Sequence, residues 1–211
     1  MTSRKVYFHE DDYCQIEVLP AQNWAYCAQQ LQQIAEFSEQ HRAPNGMGWT
    51  DVFMRSEEPM SLSTQALEAA RVSSLLSAHL MPFDKVETGY SSHSEECLNT
   101  RAFGFNADCV VYLSTTPAGI VDHMWLGLGG PEEPSRDALA SALVDLSTLG
   151  ELLFVDWGWG RLFSLSDRVG LGSYLGEREA HMKAFRERFR SMQQPNAGDG
   201  ETKSPWWKFW N

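Results

Sequence analysis

The sequence predicts an α+β fold, in which about four helices pack on a mixed or mostly antiparallel sheet of about five to seven strands. Two observations support this prediction. Apolar runs with strand character are concentrated between residues 106 and 165, where the central core is expected. Apolar residues also recur at three- and four-residue steps near the start, the middle and the end of the chain, and this spacing is typical of helices.

The predicted strands are short runs rich in β-branched and aromatic residues. They cover residues 5–8, 14–19, 49–54, 85–90, 109–114, 120–128, 152–157 and 161–164. The run from Leu152 to Val155 is apolar without a break, as in a strand that is covered on both faces. Residues 91–101 are polar, and we expect them to form a loop or a short helix.

The predicted helices cover residues 22–41, 63–80, 135–149 and 177–192. Ser63 and Ser135 are good N-cap residues for the second and third helix. Trp24, on the apolar face of the first helix, is expected to lie in the core, as is Trp125.

The composition predicts one globular domain over residues 1–192. The chain has 211 residues and 43% hydrophobic content, which is enough to bury a sizeable core. Residues 193–211 are predicted to be a linker followed by an aromatic C-terminal tail from Trp206 to Trp210. This tail is expected either to fold back on the domain or to stay unstructured.

The charge balance favours a basic partner. Asp and Glu number 28 against 17 Lys and Arg, and the net charge is -11. Such a surface repels the phosphates of nucleic acids and anionic lipids, so neither nucleic acid binding nor stable membrane association is expected. The first residues carry no secretory signal, and the four cysteines are expected to be reduced thiols. The cytoplasm is therefore the predicted location.

No cofactor or metal site is predicted. The glycines at 127–130 lie between a predicted strand and a predicted helix, which is the right context for a phosphate cradle. Glu132 and Glu133 follow them, however, and negative charge at a helix entrance repels phosphate. His93 and Cys97 are four residues apart but lack the further ligands that a zinc site needs.

No catalytic residues are predicted either. The sequence contains no G-x-S-x-G, H-E-x-x-H or C-x-x-C motif. Asp122 and His123 are neighbours in a predicted strand, so their side chains are expected to point to opposite faces and not to form an acid–base pair.

The candidate partner-binding residues are acidic clusters and tryptophans near glycines. Clustered carboxylates provide a negative recognition surface, and tryptophans at strand ends often serve as anchors in protein interfaces. The turn that contains Trp157 and Trp159 is expected to expose both rings. The full set is Glu10, Asp11, Asp12, Trp49, Glu95, Glu96, Trp157 and Trp159.

In its size, its acidity, the opening run from Tyr7 to Val18 and the Asp156-Trp157-Gly158-Trp159 turn, the chain resembles bacterial toxin immunity proteins. This resemblance implies a non-catalytic protein that blocks the active site of a cognate toxin one-to-one, through acidic and aromatic side chains. Two alternatives remain open. One is a hydrolase-type enzyme whose site is assembled only in the fold, and the other is an adaptor that uses the basic last helix and the aromatic tail.

Overall fold

The computed structural model describes residues 3–44, 48–55, 57–89, 93–130 and 132–193. The strands are β1 Lys5–His9, β2 Ile16–Pro20, β3 Lys85–Gly89, β4 Glu95–Glu96, β5 Thr100–Asn106, β6 Cys109–Thr115, β7 Val121–Leu128, β8 Leu152–Asp156 and β9 Arg161–Ser164. The helices are α1 Trp24–Gln40, α2 Ala69–Ser77, α3 Glu133–Leu146 and α4 Arg168–Gln193. The predicted α+β class is therefore confirmed.

Six strands form a large sheet in the order β5-β6-β7-β2-β8-β9. Every neighbouring pair in this sheet is antiparallel. Strand β2 comes from the start of the chain but is inserted between β7 and β8, and all five of its residues are buried. The first residues of the domain therefore lie at the centre of the sheet rather than at its edge.

The second sheet has three strands in the order β1-β3-β4, with β1 parallel to β3 and β4 antiparallel to β3. It packs on β5, β6 and β7 of the large sheet. The residues buried between the two sheets include Val6, Val86, Ala102, Val110, Tyr112 and Trp125. The small sheet thus covers one half of one face of the large sheet.

Helix α1 covers the other half of the same face. Cys27 of α1 is buried with Leu19, Val155 and Trp157. Glu17 of β2 pairs with Trp125 of β7 on one side and with Val155 of β8 on the other. Directly paired residues share a face of a sheet, so Glu17 lies at the junction between the small sheet and α1.

The opposite face of the large sheet carries α2, α3 and α4. This is the largest core cluster, and its sheet residues alternate with those of the first face, as a strand requires. The helices contribute apolar residues at three- and four-residue steps, among them Val72, Leu76, Leu139, Leu143, Leu146, Leu171 and Leu175.

Helix α4 is longer than predicted, since it begins at Arg168 rather than at residue 177. The glycines of this segment argued against a helix, because glycine weakens helix interiors. Burial of Leu171, Tyr174 and Leu175 against the sheet offsets that cost. Asp167 accepts a hydrogen bond from the Gly170 amide at 2.9 Å and so holds the first turn.

Neither predicted N-cap is found: α2 begins at Ala69 after Glu68, and α3 follows Glu132. Three further local predictions are wrong. Thr100–Asn106 forms strand β5 and pairs with β6, although its first residues were expected in a loop or a short helix. Residues 49–54 form no strand: Trp49 makes one isolated bridge to Arg42, and Val52 and Met54 are exposed. Trp24 is 49% exposed, whereas Trp125 is buried as predicted at 1%. The aromatic tail lies outside the described residues.

A candidate partner-binding site

A pocket of about 490 Å³ lies between α1, the segment 48–55 and the turn after β8. We call it the Trp49 pocket. Its apolar lining comprises Ile34, Phe37, Trp49, Val52, Phe53 and Trp157. Its polar lining comprises Gln15, Ser38, Asp51 and Arg55. A concave, mostly apolar site with a few polar groups is typical of binding sites.

The outer wall of the pocket is the segment 48–55, which has no regular secondary structure. At its start, the Thr50 amide and hydroxyl both donate to the His41 carbonyl, at 2.8 and 3.1 Å. In the middle, Phe53 contacts Phe37 edge-on, with 5.5 Å between the ring centroids. The wall is thus fastened to the C-terminal end of α1.

At its end, the same segment is fastened by Arg55. The Arg55 guanidinium lies 4.4 Å from the Trp157 ring centroid, and its Nη1 lies 3.3 Å from Glu17 Oε1. The same Oε1 accepts a hydrogen bond from Trp157 Nε1 at 2.6 Å. Glu17 is only 3% exposed, so this carboxylate anchors the floor of the pocket from inside the protein.

Burial is the main influence on the pKa values of the ionisable groups near the pocket floor. It raises the pKa of Glu17 above its ordinary value, although Trp157 and Arg55 act in the opposite direction. Burial also raises the pKa of Cys27 to about 12 and that of Cys14 further still. Both thiols are therefore protonated at neutral pH and are poor nucleophiles, because the thiolate is the reactive form.

The acidic turn, Glu10–Asp12, lies one hydrogen-bonded residue away from the lining of the Trp49 pocket. All three of its residues are exposed. The turn is connected to the pocket by Gln15, whose amide lies 3.4 Å from the Asp12 carbonyl. The Trp157 amide in turn donates to the Gln15 carbonyl at 3.1 Å, so Gln15 joins the turn to the pocket floor.

The second acidic cluster lies at the same end of the small sheet. His9 pairs with Gly89 and Thr88 pairs with Glu95, so the acidic turn and Glu95 are two strand positions apart. This corresponds to roughly 10 Å, since neighbouring strands are spaced by about 4.8 Å. The negative charge of Glu96 is partly neutralised by Lys85, whose Nζ lies 2.9 Å from Glu96 Oε2. Glu96 therefore adds less to the negative potential than Glu95.

The two tryptophans of the 156–159 turn lie on opposite sides of the large sheet. The expectation that Trp157 exposes its ring is wrong: the residue is 5% exposed, held by Glu17 and covered by Arg55. Trp159 is partly buried against α4, with its ring 5.1 Å from that of His181 and 5.0 Å from the Arg178 guanidinium. Trp159 therefore does not belong to the Trp49 pocket, whereas Trp49 is 63% exposed at its edge.

Two important residues were missed by sequence reasoning. Glu17 lies in the predicted strand 14–19 but alternates there with apolar residues, as on the solvent side of a strand, and Arg55 directly follows the predicted strand 49–54. The burial of Glu17 could have been expected, because in a sheet covered on both faces the residues on each side of a central strand are buried. A buried carboxylate needs a partner, and a nearby arginine is the most suitable one.

The expectation for Asp122 and His123 is also wrong, because His123 Nε2 lies 3.5 Å from Asp122 Oδ2. A β-bulge is responsible: Ser114 pairs with His123 and Thr115 with Val121, which leaves Asp122 unpaired and changes its direction. The Ser61 hydroxyl donates to Asp122 Oδ1 at 2.7 Å. In a nucleophile–base–acid triad the histidine lies between the hydroxyl and the carboxylate, whereas here the carboxylate is in the middle.

Within the described ranges, no group of three or more His, Cys, Asp or Glu side chains is arranged to hold a metal ion. None of the helices that the structure describes combines the length and the apolar character needed to cross a membrane. No protein-family model, curated protein or solved structure matches the chain.

Proposed function

We propose that this chain is a non-catalytic binding protein of the immunity type, which acts in the cytoplasm and neutralises a basic cognate toxin by binding to it. The observation that carries the proposal is that the exposed acidic turn is hydrogen-bonded to Gln15, which lines the Trp49 pocket. Charged residues at the rim steer a partner and select it, while aromatic residues in a pocket supply binding energy.

The acidic surface is suited to attracting a basic partner at physiological salt. Electrostatic interactions are screened over about 8 Å under those conditions, so neighbouring carboxylates act together and distant ones do not. Asp11 and Asp12 are exposed and adjacent, and Glu95 lies at the same end of the sheet. We therefore assign the strongest steering to the acidic turn and a smaller part to Glu96, which is paired with Lys85.

Affinity capture from the source cells tests this function with a pair of charge-reversal variants. In Asp11→Lys/Asp12→Lys the acidic turn is reversed. In the control, Glu151→Lys/Glu187→Lys, two exposed carboxylates elsewhere are reversed, one at the far end of β8 and one on α4. The two variants have the same net charge, so any difference between them reports on position.

We expect the wild type and the control to retain a basic protein in one-to-one ratio near physiological salt, and to block its activity. The variant of the acidic turn should bind at least about tenfold more weakly, because like charges then face the partner. Equal retention by both variants would contradict the proposal. Loss of the partner only on Phe185→Ser/Phe189→Ser would instead favour the adaptor, because these exposed rings stack with centroids 6.4 Å apart on α4.

A further inference from the structure

We infer that the Trp49 pocket receives an arginine side chain of the basic partner. This inference rests on the proposed function and specifies the chemistry of its central contact. It depends on three properties of the pocket: its free aromatic surface, its local charge, and the way in which the protein already holds an arginine of its own.

The free aromatic surface belongs to Trp49, because the Phe37 ring stacks on His41 with 4.0 Å between centroids and also contacts Phe53. Trp49 is 63% exposed, although most of a tryptophan side chain is apolar. The pocket volume of about 490 Å³ is in the usual range for ligand pockets. It is large enough for a long side chain with part of its backbone. Cations stack on tryptophan more favourably than on any other side chain.

The charge at the mouth of the pocket is negative. Arg55 is the cationic residue of the lining, but it is held by Glu17 and covers Trp157, so its charge is compensated. Asp51 in the outer wall is exposed, and the Gln15 amide of the lining donates to the Asp12 carbonyl of the acidic turn at 3.4 Å. A cationic side chain therefore gains electrostatic energy on entering, whereas an anionic one would approach the Asp51 carboxylate.

The position of Arg55 favours arginine over lysine as the guest. Its guanidinium stacks 4.4 Å from the Trp157 ring centroid while a carboxylate accepts from its edge. Arginine alone combines a planar cation that stacks with a fork of donors that binds carboxylates. Trp49 and Asp51 offer the same two partners, an indole and a carboxylate, two residues apart on the outer wall.

The test uses the full chain and a short probe, acetyl-Gly-Arg-Gly-amide, in low-salt buffer. The matched control is acetyl-Gly-citrulline-Gly-amide, which has nearly the same shape without the charge. Binding is followed by the NMR signal of the Trp49 indole N–H, which is assigned by its loss in Trp49→Phe. A third peptide with glutamate in place of arginine tests the opposite charge.

We expect a saturable shift of the Trp49 signal with a Kd of the order of millimolar, and about fivefold weaker binding of the citrulline peptide. Trp49→Ala should abolish binding and Asp51→Asn should weaken it. Trp24→Ala should leave it unchanged, because Trp24 is also exposed but lies outside the pocket. Equal binding of the citrulline peptide, tighter binding of the glutamate peptide, or full binding by Trp49→Ala would overturn the inference.

This experiment contains no toxin, so its failure is distinguishable from failure of the proposed function. If the partner is captured through the acidic turn but the arginine peptide does not bind, the inference about the pocket is wrong and the proposed function stands. If the peptide binds but no basic partner is captured, the pocket recognises arginine and the toxin-blocking function is wrong.

Discussion

At the scale of single residues, Glu17 is the most consequential side chain. A buried carboxylate is costly unless it is paired, and Glu17 has two partners, the Trp157 indole and the Arg55 guanidinium. Through these partners it fixes both the floor of the Trp49 pocket and the end of its outer wall. Its role is structural, since it lies beneath Arg55 and is almost fully shielded from solvent.

The raised pKa of Glu17 predicts how stability depends on pH. Because the folded state holds the proton more tightly than the unfolded state, the contribution of Glu17 is fully present below its ordinary pKa of 4.5 and is lost as the pH rises through the folded value. The unfolding free energy of the wild type minus that of Glu17→Gln should therefore decrease as the pH rises from about 4 towards neutral.

Urea denaturation of both proteins at a series of pH values measures this difference. Subtracting the two curves removes the pH dependence that other groups contribute equally to both proteins. A difference that grows with pH would show that Arg55 and Trp157 outweigh the effect of burial on Glu17.

At the scale of elements, α4 is attached to the large sheet through Asp156 at the end of β8. Asp156 Oδ2 accepts from Tyr174 at 2.6 Å and from Arg178 at 2.7 Å, and Oδ1 accepts from the Trp159 amide at 2.9 Å. Arg178 also donates to the Leu128 carbonyl at 3.0 Å. A single buried carboxylate thus connects β8, the turn after it and the long helix.

Replacing Asp156 with Asn should destabilise the protein by about 3 kcal/mol, because the mostly buried Arg178 loses its counter-charge. Glu177→Gln is the matched control, since Glu177 pairs with Arg161 at the same N–O distance of 2.7 Å but on the surface. We expect the control to cost less than about 1 kcal/mol, because exposed ion pairs contribute little. Equal losses in chemical denaturation would contradict this account of α4.

At the scale of the whole molecule, the large sheet unites three core clusters. β2 contributes Ile16 and Val18 to the helix-covered core and Leu19 to the core beneath α1. It also pairs with strands from the middle of the chain on both sides. The small sheet and α1 therefore cover neighbouring halves of one face, on strands that β2 joins.

This arrangement predicts a single cooperative unfolding transition. Far-UV circular dichroism, which follows the helices, and tryptophan fluorescence, which follows buried rings such as Trp125 and Trp157, should have the same urea midpoint. A separate early transition in fluorescence alone would show that the small sheet unfolds independently, and one in both signals would show this for α1. Either result would contradict the prediction of one domain.

Local patterns in the sequence were sufficient to predict the α+β class and most of the elements. The helical spacing of α1 and α3 and the β-branched runs of β6, β7 and β8 are properties of neighbouring residues, so they can be read without knowing the fold. Strand β5 was missed because its first residues, Thr100 and Arg101, are polar. The start of α4 was missed because its glycines are tolerated only where the helix is buried.

The sequence by itself determined the acidity of the protein, the composition of the acidic turn and the aromatic character of the segment that contains Trp49. Only the tertiary structure decided that Gln15 links the acidic turn to the Trp49 pocket, that Trp157 is buried while Trp49 is exposed, and that Glu17 and Arg55 form a pair. The physical reason is that exposure and proximity depend on pairing between distant segments. Here β1 pairs with β3 and β2 is inserted between β7 and β8, and no local pattern in the sequence encodes that choice.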